Sequence, residues 1–530
     1  MCGIVGTATR RKSAGILIEG LQRLEYRGYD SAGFAIFDKA GKLQRERRVG
    51  KVKTLREAQL SSGLDGELGI AHTRWATHGK PTEANAHPHT SNDIVAVVHN
   101  GIIENHESLR SELVDQGYVF TSETDTEVIA HLVHAAVKKT GDFLSGVQEV
   151  LTRFEGAYAL AIIHGEYPDT IIAARSGSPL VVGLGIGENF VASDPQALRP
   201  VTDRFVYLDE GEIVQVTADE IQVIGVSAEE FTSRVVTLGE TQDSAEKGNY
   251  RHYMMKEIHE QPGTVRATLE GRITDRHILV GAFGVGAEEI FSQVEALQIV
   301  ACGSSFYTGM VARYWVEELL GIPCNVEIAS EFRYRDVAVA KNTLLVTISQ
   351  SGETADTLAA LRDATSDNYL ASLCLCNVPN SSLVRESDLA LMIKAGPEIC
   401  VASTKAFTTQ LADLMLLVLA IGKQRGMPEE TESRLVRALH QVPDLIEQVL
   451  GIDKEIEKIA EHFVEKHHAL FLGRGSHFPV AMEGALKLKE ISYIHAEGYA
   501  AGELKHGPLA LVDDAMPVVA VAPSDELLDK

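Results

Sequence analysis

The chain has 530 residues, 45% hydrophobic and 23% charged, the proportions of an ordinary globular protein. One core cannot serve that length, and a prior of roughly 100–200 residues per domain predicts three or four. With 49 Lys and Arg against 74 Asp and Glu the net charge is −25, which argues against nucleic acid or an anionic membrane surface as a principal partner.

No basic stretch followed by an apolar segment opens the chain, and no uninterrupted apolar run is long enough to span a bilayer. Besides Cys2, the cysteines are Cys302, Cys324, Cys374, Cys376 and Cys400, with no CxxC pair, so neither a metal site nor a disulfide framework is indicated. Cys374 and Cys376 fall in a strand-like run and are expected in a core. Reduced thiols without a signal predict a cytoplasmic protein, and no cofactor is expected.

The chain opens Met1-Cys2-Gly3-Ile4-Val5-Gly6. A small side chain at position 2 permits removal of Met1, which would leave a thiol and a free α-amine on one residue. An α-amine titrates near ~7.7–8.0, so at neutral pH an appreciable fraction can act as a base. Thiol and amine then form a self-contained nucleophile–base pair. A buried thiol opening a first strand is the ordinary reading of such a cysteine; the segments downstream reverse it.

Up to about residue 220, short apolar strands are predicted at 33–37, 68–71, 94–98, 157–163, 171–174 and 205–208, with few helices, 126–138 the clearest. The pattern predicts an α+β domain dominated by antiparallel sheet. Three unusually polar segments adjoin these strands: His72 to Gly79, His99-Asn100-Gly101, and Glu123-Thr124-Asp125-Thr126. Thiolate attack on an amide needs oxyanion donors, a clamp for the charged end of the substrate, and a base. The Asn100 side chain and Gly101 N–H supply the donors. Arg74 can grip a carboxylate and Asp125 an ammonium.

These residues, with Arg23 to Ser31 and Ala86-His87-Pro88, resemble the class II (N-terminal nucleophile) glutamine amidotransferases. The resemblance implies an αββα fold over 2–220, Cys2 as nucleophile, and Asn100 and Gly101 as oxyanion hole. It also implies Arg74, Thr77, His78, His87 and Asp125 around the glutamine, and Trp75 as the gate of an ammonia route.

Residues 239–248, made up mostly of Ser, Thr, Glu, Asp, Lys and Gly, read as a linker within 221–285, followed by a helix at 252–269. Strand and helix then alternate, and the sequence repeats itself. Gly303-Ser304-Ser305 and Gly475-Ser476-His477 each follow an apolar run, and Ile322/Ile494, Ala329/Ala501 and Glu331/Glu503 keep the same spacing. Two similar parallel-sheet subdomains, at 286–428 and 460–530, are predicted. By the repeat, Lys530 corresponds to a position inside the first copy's helix at 357–361, so the second copy is expected to be incomplete.

Ser349-Gln350-Ser351-Gly352-Glu353-Thr354 lies between a strand at 344–348 and a helix. Hydroxyls and N–H groups there make a phosphate cradle without lysine. Gly303-Ser304-Ser305 adds hydroxyls at the neighbouring strand end, and Val401 to Lys405 is a third hydroxyl-rich turn. In the second copy Glu483, Lys487 and Glu490 share one face of a helix at 481–493, which continues toward His506. A carboxylate and a histidine near a sugar phosphate suit enolisation and ring opening.

These segments resemble sugar isomerase (SIS) domains, with doubly wound parallel sheets. Joined to the amidotransferase half, they are similar to the family of amidotransferases that act on sugar phosphates. That implies transfer of the glutamine amide nitrogen to fructose 6-phosphate, with isomerisation to glucosamine 6-phosphate. It implies Cys302, Gly303, Ser304, Ser305, Ser349, Gln350, Ser351, Thr354, Val401 and Ser403 around the sugar phosphate. Glu490 would move a proton between C1 and C2, His506 would open the ring, and Glu483 and Lys487 would support Glu490. The family's Schiff-base lysine lies in a C-terminal tail that has no counterpart before Lys530, so the 530-residue chain is expected to keep glutamine hydrolysis and partial sugar-phosphate binding. A homodimer through the SIS domains is the expected assembly. Phosphoribosyl amidotransferases and asparagine synthetases share the first half, but their pyrophosphate and ATP loops are absent. A plain glutaminase and a sugar-phosphate sensor remain the alternative readings.

Overall fold

The structure, a computed structural model, describes residues 2–25, 28–38, 41–74, 80–237, 247–364 and 368–524. The chain forms two compact units, Met1–Thr241 and Gln242–Lys530.

The first unit is two antiparallel sheets, face to face. In the eight-stranded sheet, Gly3–Ala8 lies between Leu68–Arg74 and Asn189–Ala192, with Ile4 opposite His72. In the six-stranded sheet, Val95–Ile103 pairs with Gly156–His164, Asn100 opposite Ala159. Side chains alternate at period two, so each strand feeds two layers. Ile4, Ile70 and Ala35 meet Ala96, Val98 and Ala161 between the sheets. Their neighbours Val5, Ala71 and Phe34 face outward onto the helices Ala14–Leu24 and Val52–Ser62. On the far side Val95, Val97, Leu160 and Ile162 carry Thr126–Thr140 and Phe143–Leu151. The layering is αββα. Burial on both faces explains the nearly continuous apolar runs, and each fully buried Leu, Ile or Phe contributes about 1.5–3 kcal/mol.

Two features differ from expectation. Helices are more numerous than the sequence suggested: Val52–Ser62, His106–Asp115 and Phe143–Leu151 run only 9–11 residues and bury two or three large apolar side chains each. The sheets also run past residue 220. Ile221–Val223 pairs with Ile213–Val216, and Val236–Thr237 with Arg204–Tyr207.

The second unit begins with the helix Tyr253–Leu269. Five parallel strands follow in the order Cys324–Ile328, Ala296–Ala301, Thr343–Ser349, Ala371–Cys376, Leu389–Met392. Alternation again separates two layers. Ile299, Val346 and Leu375 face Gly303–Leu320 and Lys405–Gln424. Val300, Leu345, Cys374 and Cys376 face Ala355–Ala364. Lys405–Gln424 is long and apolar enough to cross a bilayer, but 78% of that stretch is buried in this core.

The second copy is a three-stranded parallel sheet, with His468–Gly473 between His495–Ala500 and Val518–Val521. Its strand order repeats that of the first three strands of the larger sheet, as a duplication requires. The turns match too: Gly303 and Gly475 take φ of +57° and +56°. The helix of this copy, His477–Ser492, begins a turn earlier than the sequence suggested.

Candidate functional site

In the first unit the chemistry gathers where Gly3–Ala8 begins. Gly3 pairs with Thr73, which sets residue 2 beside Arg74 at the end of Leu68–Arg74. The Asn100 side-chain nitrogen donates to the Cys2 carbonyl oxygen at 3.1 Å, so one N–H of that amide remains for a substrate oxygen. Gly101 follows at φ +131°, and a Cβ there would collide with the Ala157 carbonyl; only glycine fits. Arg74 is buried, which lowers its pKa, while Cys2, Asp125 and Asp30 pull it back up. The guanidinium therefore stands in the combined field of the thiol and two carboxylates.

Asp125 is also buried. Its Oδ2 accepts the Ile103 N–H at 2.9 Å and lies 3.7 Å from His99 Nδ1. The turn that presents it is pinned by Glu127, whose carboxylate accepts the N–H and hydroxyl groups of Thr121 and Ser122. Burial would raise Glu127, but those four donors hold it below its ordinary value. Asn85 ties the same turn to the segment before it, exchanging two hydrogen bonds with Glu123 and donating to the Lys80 carbonyl.

Behind Asn100 lies a group of buried histidines. His72 Nε2 is 3.0 Å from Asn100 Oδ1 and 3.1 Å from the His99 carbonyl oxygen. The His87 ring stacks on His72 at 4.1 Å, and its Nδ1 accepts the His99 N–H. Burial pushes His72 down to about 3 and lowers His87, His89 and His99 as well. His87 thus supports the Asn100 segment. Trp75, Thr77 and His78 lie outside the described residues.

In the second unit the strand order reverses between Ala296–Ala301 and Thr343–Ser349, so the loops that follow them diverge and open a crevice. Cys302 and Gly303 to Ser305 line one side. Ser349, Gln350, Ser351 and Thr354 line the other, ahead of Ala355–Ala364. Ser349 Oγ accepts the Gly352 N–H at 3.0 Å and sits 3.1 Å from Thr354 Oγ1. Gly352 takes φ +66°, and a Cβ would collide with Ser381. Ser305 Oγ accepts from Gln410 Nε2 at 3.0 Å.

The third turn is held by two carboxylates. Glu257 accepts the N–H groups of Ile399 and Cys400 and the Thr404 hydroxyl. Glu398 accepts from Ser403, Thr404 and Ala406. Val401 is left exposed at its tip.

The second copy closes on the first. Ser304 Oγ donates to Glu483 Oε1 at 2.8 Å, Lys487 Nζ donates to Ser304 Oγ at 3.2 Å, and Lys487 pairs with Glu490 at 2.5 Å. Burial raises Glu483 to about 7, more than Lys487 and Ser304 lower it. His506 lies exposed on the turn Ala501–His506, and no hydrogen bond or ion pair among the described residues joins it to this cluster.

Residues 72–200 match the glutamine amidotransferase domain family, and residues 290–420 and 462–530 match the SIS domain family. Among curated proteins, the glutamine–fructose-6-phosphate aminotransferase [isomerizing] of Pseudomonas aeruginosa is 60% identical over all of this chain and 87% of its own length. This chain belongs to the glutamine–fructose-6-phosphate aminotransferase family. The Escherichia coli (strain K12) aminotransferase of that name is 58% identical over the same shares. Among solved structures, the C-terminal domain of the Francisella tularensis glucosamine–fructose-6-phosphate aminotransferase is 54% identical, with a TM-score of 0.53. The match covers 54% of this chain and 80% of that one.

For an aminotransferase of this family the two sites divide the chemistry between an amide and a sugar phosphate. The positions read from the sequence are the ones whose chemistry is local to a motif. Glu127, Asn85, Glu257, Glu398 and Gln410 were missed. Thr124 to Glu127 has capping-box spacing, but Glu127 reaches past Thr124 to Thr121 and Ser122, so its part could not be read locally either.

Proposed function

We propose that this protein transfers the amide nitrogen of glutamine to fructose 6-phosphate and isomerises the product to glucosamine 6-phosphate, releasing glutamate. With Met1 removed, the α-amine takes the Cys2 thiol proton and the thiolate attacks the glutamine amide carbon. The tetrahedral oxyanion lies against the Asn100 amide and the Gly101 N–H while Arg74 and Asp125 hold the amino acid's carboxylate and ammonium. The amine proton passes to the departing nitrogen, ammonia leaves, and water hydrolyses the γ-glutamyl thioester to glutamate.

In the SIS half, hydroxyls and N–H groups of the 302–305 and 349–354 loops hold the phosphate, with Val401 and Ser403 beside it. Ammonia adds at the C2 carbonyl of the open sugar and water is lost. Glu490 takes a proton from C1 and returns it to C2 while the O1 proton passes to the imine nitrogen, leaving an amine at C2 and an aldehyde at C1. Lys487 and Glu483 hold Glu490 in place, and His506 is assigned to ring opening. One observation carries the sugar-phosphate half of this reading: Ser304, in the 302–305 loop of one copy, is bonded to the Glu483–Lys487–Glu490 face of the other.

A homodimer through the SIS domains is part of the same reading. A cytoplasmic location is supported by six cysteines without a disulfide among the described residues. The test is to supply amide-¹⁵N glutamine and fructose 6-phosphate and weigh the sugar product. ¹⁵N in hexosamine phosphate is expected. Labelled ammonia with unlabelled sugar would reduce the activity to that of a glutaminase.

A further inference from the structure

We propose that His72 is a positioning residue for glutamine cleavage, its Nε2–H fixing which end of the Asn100 amide faces Cys2. The proposal rests on the reading above, in which Asn100 donates to the oxyanion. An asparagine amide is nearly symmetric in shape, so packing alone does not choose between its two orientations; a flip by 180° would turn Oδ1, an acceptor, toward the oxyanion and repel it.

The choice is made by an atom whose role is fixed. His72 Nε2 contacts the His99 backbone carbonyl at 3.1 Å, and a carbonyl only accepts, so Nε2 carries the hydrogen. The same N–H lies 3.0 Å from the Asn100 side chain. What faces it there must also be an acceptor, which is Oδ1, and Nδ2 is thereby turned onto residue 2, where it donates to the Cys2 carbonyl. His72 Nδ1 has no partner among the described residues, which suits a lone pair and would strand a proton.

The surroundings keep His72 in this tautomer. The side chain is fully buried on Leu68–Arg74, His87 stacks on it at 4.1 Å, and Arg74 follows two residues on. A second proton on the ring would meet a guanidinium and another imidazole with no acceptor in reach. The sequence motif presents His72 only as the start of a polar segment; its part in the chemistry comes from the strand pairing that sets it behind Asn100.

The test compares His72→Gln, His72→Asn and His72→Leu in the full chain, with Asn100→Ala as reference. The readouts are kcat and KM for glutamine hydrolysis and the rate at which iodoacetamide alkylates Cys2. Glutamine places an N–H near the position of Nε2, asparagine falls short of it, and leucine has none. Losing one oxyanion donor costs about 10²–10³ in kcat, so His72→Asn and His72→Leu should fall by roughly 10²-fold while His72→Gln stays within about tenfold. KM and Cys2 alkylation should change by much less than kcat, within about tenfold: the flip also breaks the Asn100–Cys2 carbonyl bond, but neither readout passes through the oxyanion. The Gln/Asn pair decides even if the leucine variant fails to fold. Equal kcat in those two variants, or alkylation falling in step with kcat, would overturn the positioning role. If Asn100→Ala itself hydrolyses glutamine at the native rate, the oxyanion reading fails and the proposal with it; if only Asn100→Ala is impaired, that reading stands and His72 is merely structural.

Discussion

The hydroxyl of Ser304 donates to the carboxylate of Glu483 at 2.8 Å, joining the 302–305 loop of one SIS copy to the helix His477–Ser492 of the other. Ser304→Ala would leave Glu483, only 6% exposed, with one donor fewer in a site it already enters at an electrostatic cost. The expected result is a loss of about 1–3 kcal/mol in stability and weaker fructose 6-phosphate binding, read by denaturant titration and calorimetry. Unchanged sugar-phosphate affinity would remove Ser304 from the binding loop.

Glu483 also makes a prediction about pH. Its folded value of about 7 exceeds the ordinary 4.5, so between those two the native state binds more protons than the unfolded chain. That contribution to stability is full below about 4.5 and is lost as pH rises through 7. Glu483→Gln should flatten this part of the stability profile, measured by denaturation between pH 4.5 and 7.5. A profile identical to that of the native chain would contradict the assignment.

The histidines behind Asn100 act in the opposite sense. His72, His87, His89 and His99 are held neutral in the fold but protonate near 6.5 when unfolded. Stability is complete above 6.5 and declines as pH falls below it, by up to about 1.4 kcal/mol per pH unit for each group, for His72 down to about 3. A melting temperature that does not drop between pH 7 and 5 would show that these rings are already charged.

Gly101→Ala places a side chain against the Ala157 carbonyl in a backbone conformation that disfavours it. We expect a loss of at least about 2 kcal/mol together with failure of glutamine hydrolysis, because the chain must shift at the two residues assigned to the oxyanion. A native-like kcat in this variant would mean that the Gly101 N–H is not needed.

Glu127→Ala removes the acceptor that organises Thr121 and Ser122 and, through them, Asp125. Since Asp125 is assigned to the substrate ammonium, KM for glutamine should rise by roughly tenfold or more with a smaller change in kcat. Steady-state kinetics decide it: a pure kcat defect would place Asp125 elsewhere in the reaction.

Much of the fold was legible because buried strands write themselves as apolar runs. Val95–Ile103 and Thr343–Ser349 are examples. Leu43–Val49 was invisible for the converse reason: Leu-Gln-Arg-Glu-Arg-Arg-Val is the outermost strand of its sheet, where charge is tolerated and discourages pairing with another chain. The site divided in the same manner. Cys2, Asn100, Gly101 and the Ser349 to Thr354 loop carry their chemistry within a few consecutive residues. Glu257 does not, because it acts on Ile399 and Cys400, far along the chain, and a carboxylate on an amphipathic helix looks like any solvated charge until the fold supplies its partner.

The matched left-handed turns at Gly303 and Gly475 mark two descendants of one ancestral module. The first carries Ser304, Ser349, Ser351 and Thr354 on its loops; the second meets it with Glu483 and Lys487, both bonded to Ser304. The two halves are therefore not independent of one another: a change at Ser304 or at Glu483 has to be accommodated by the other copy across that contact.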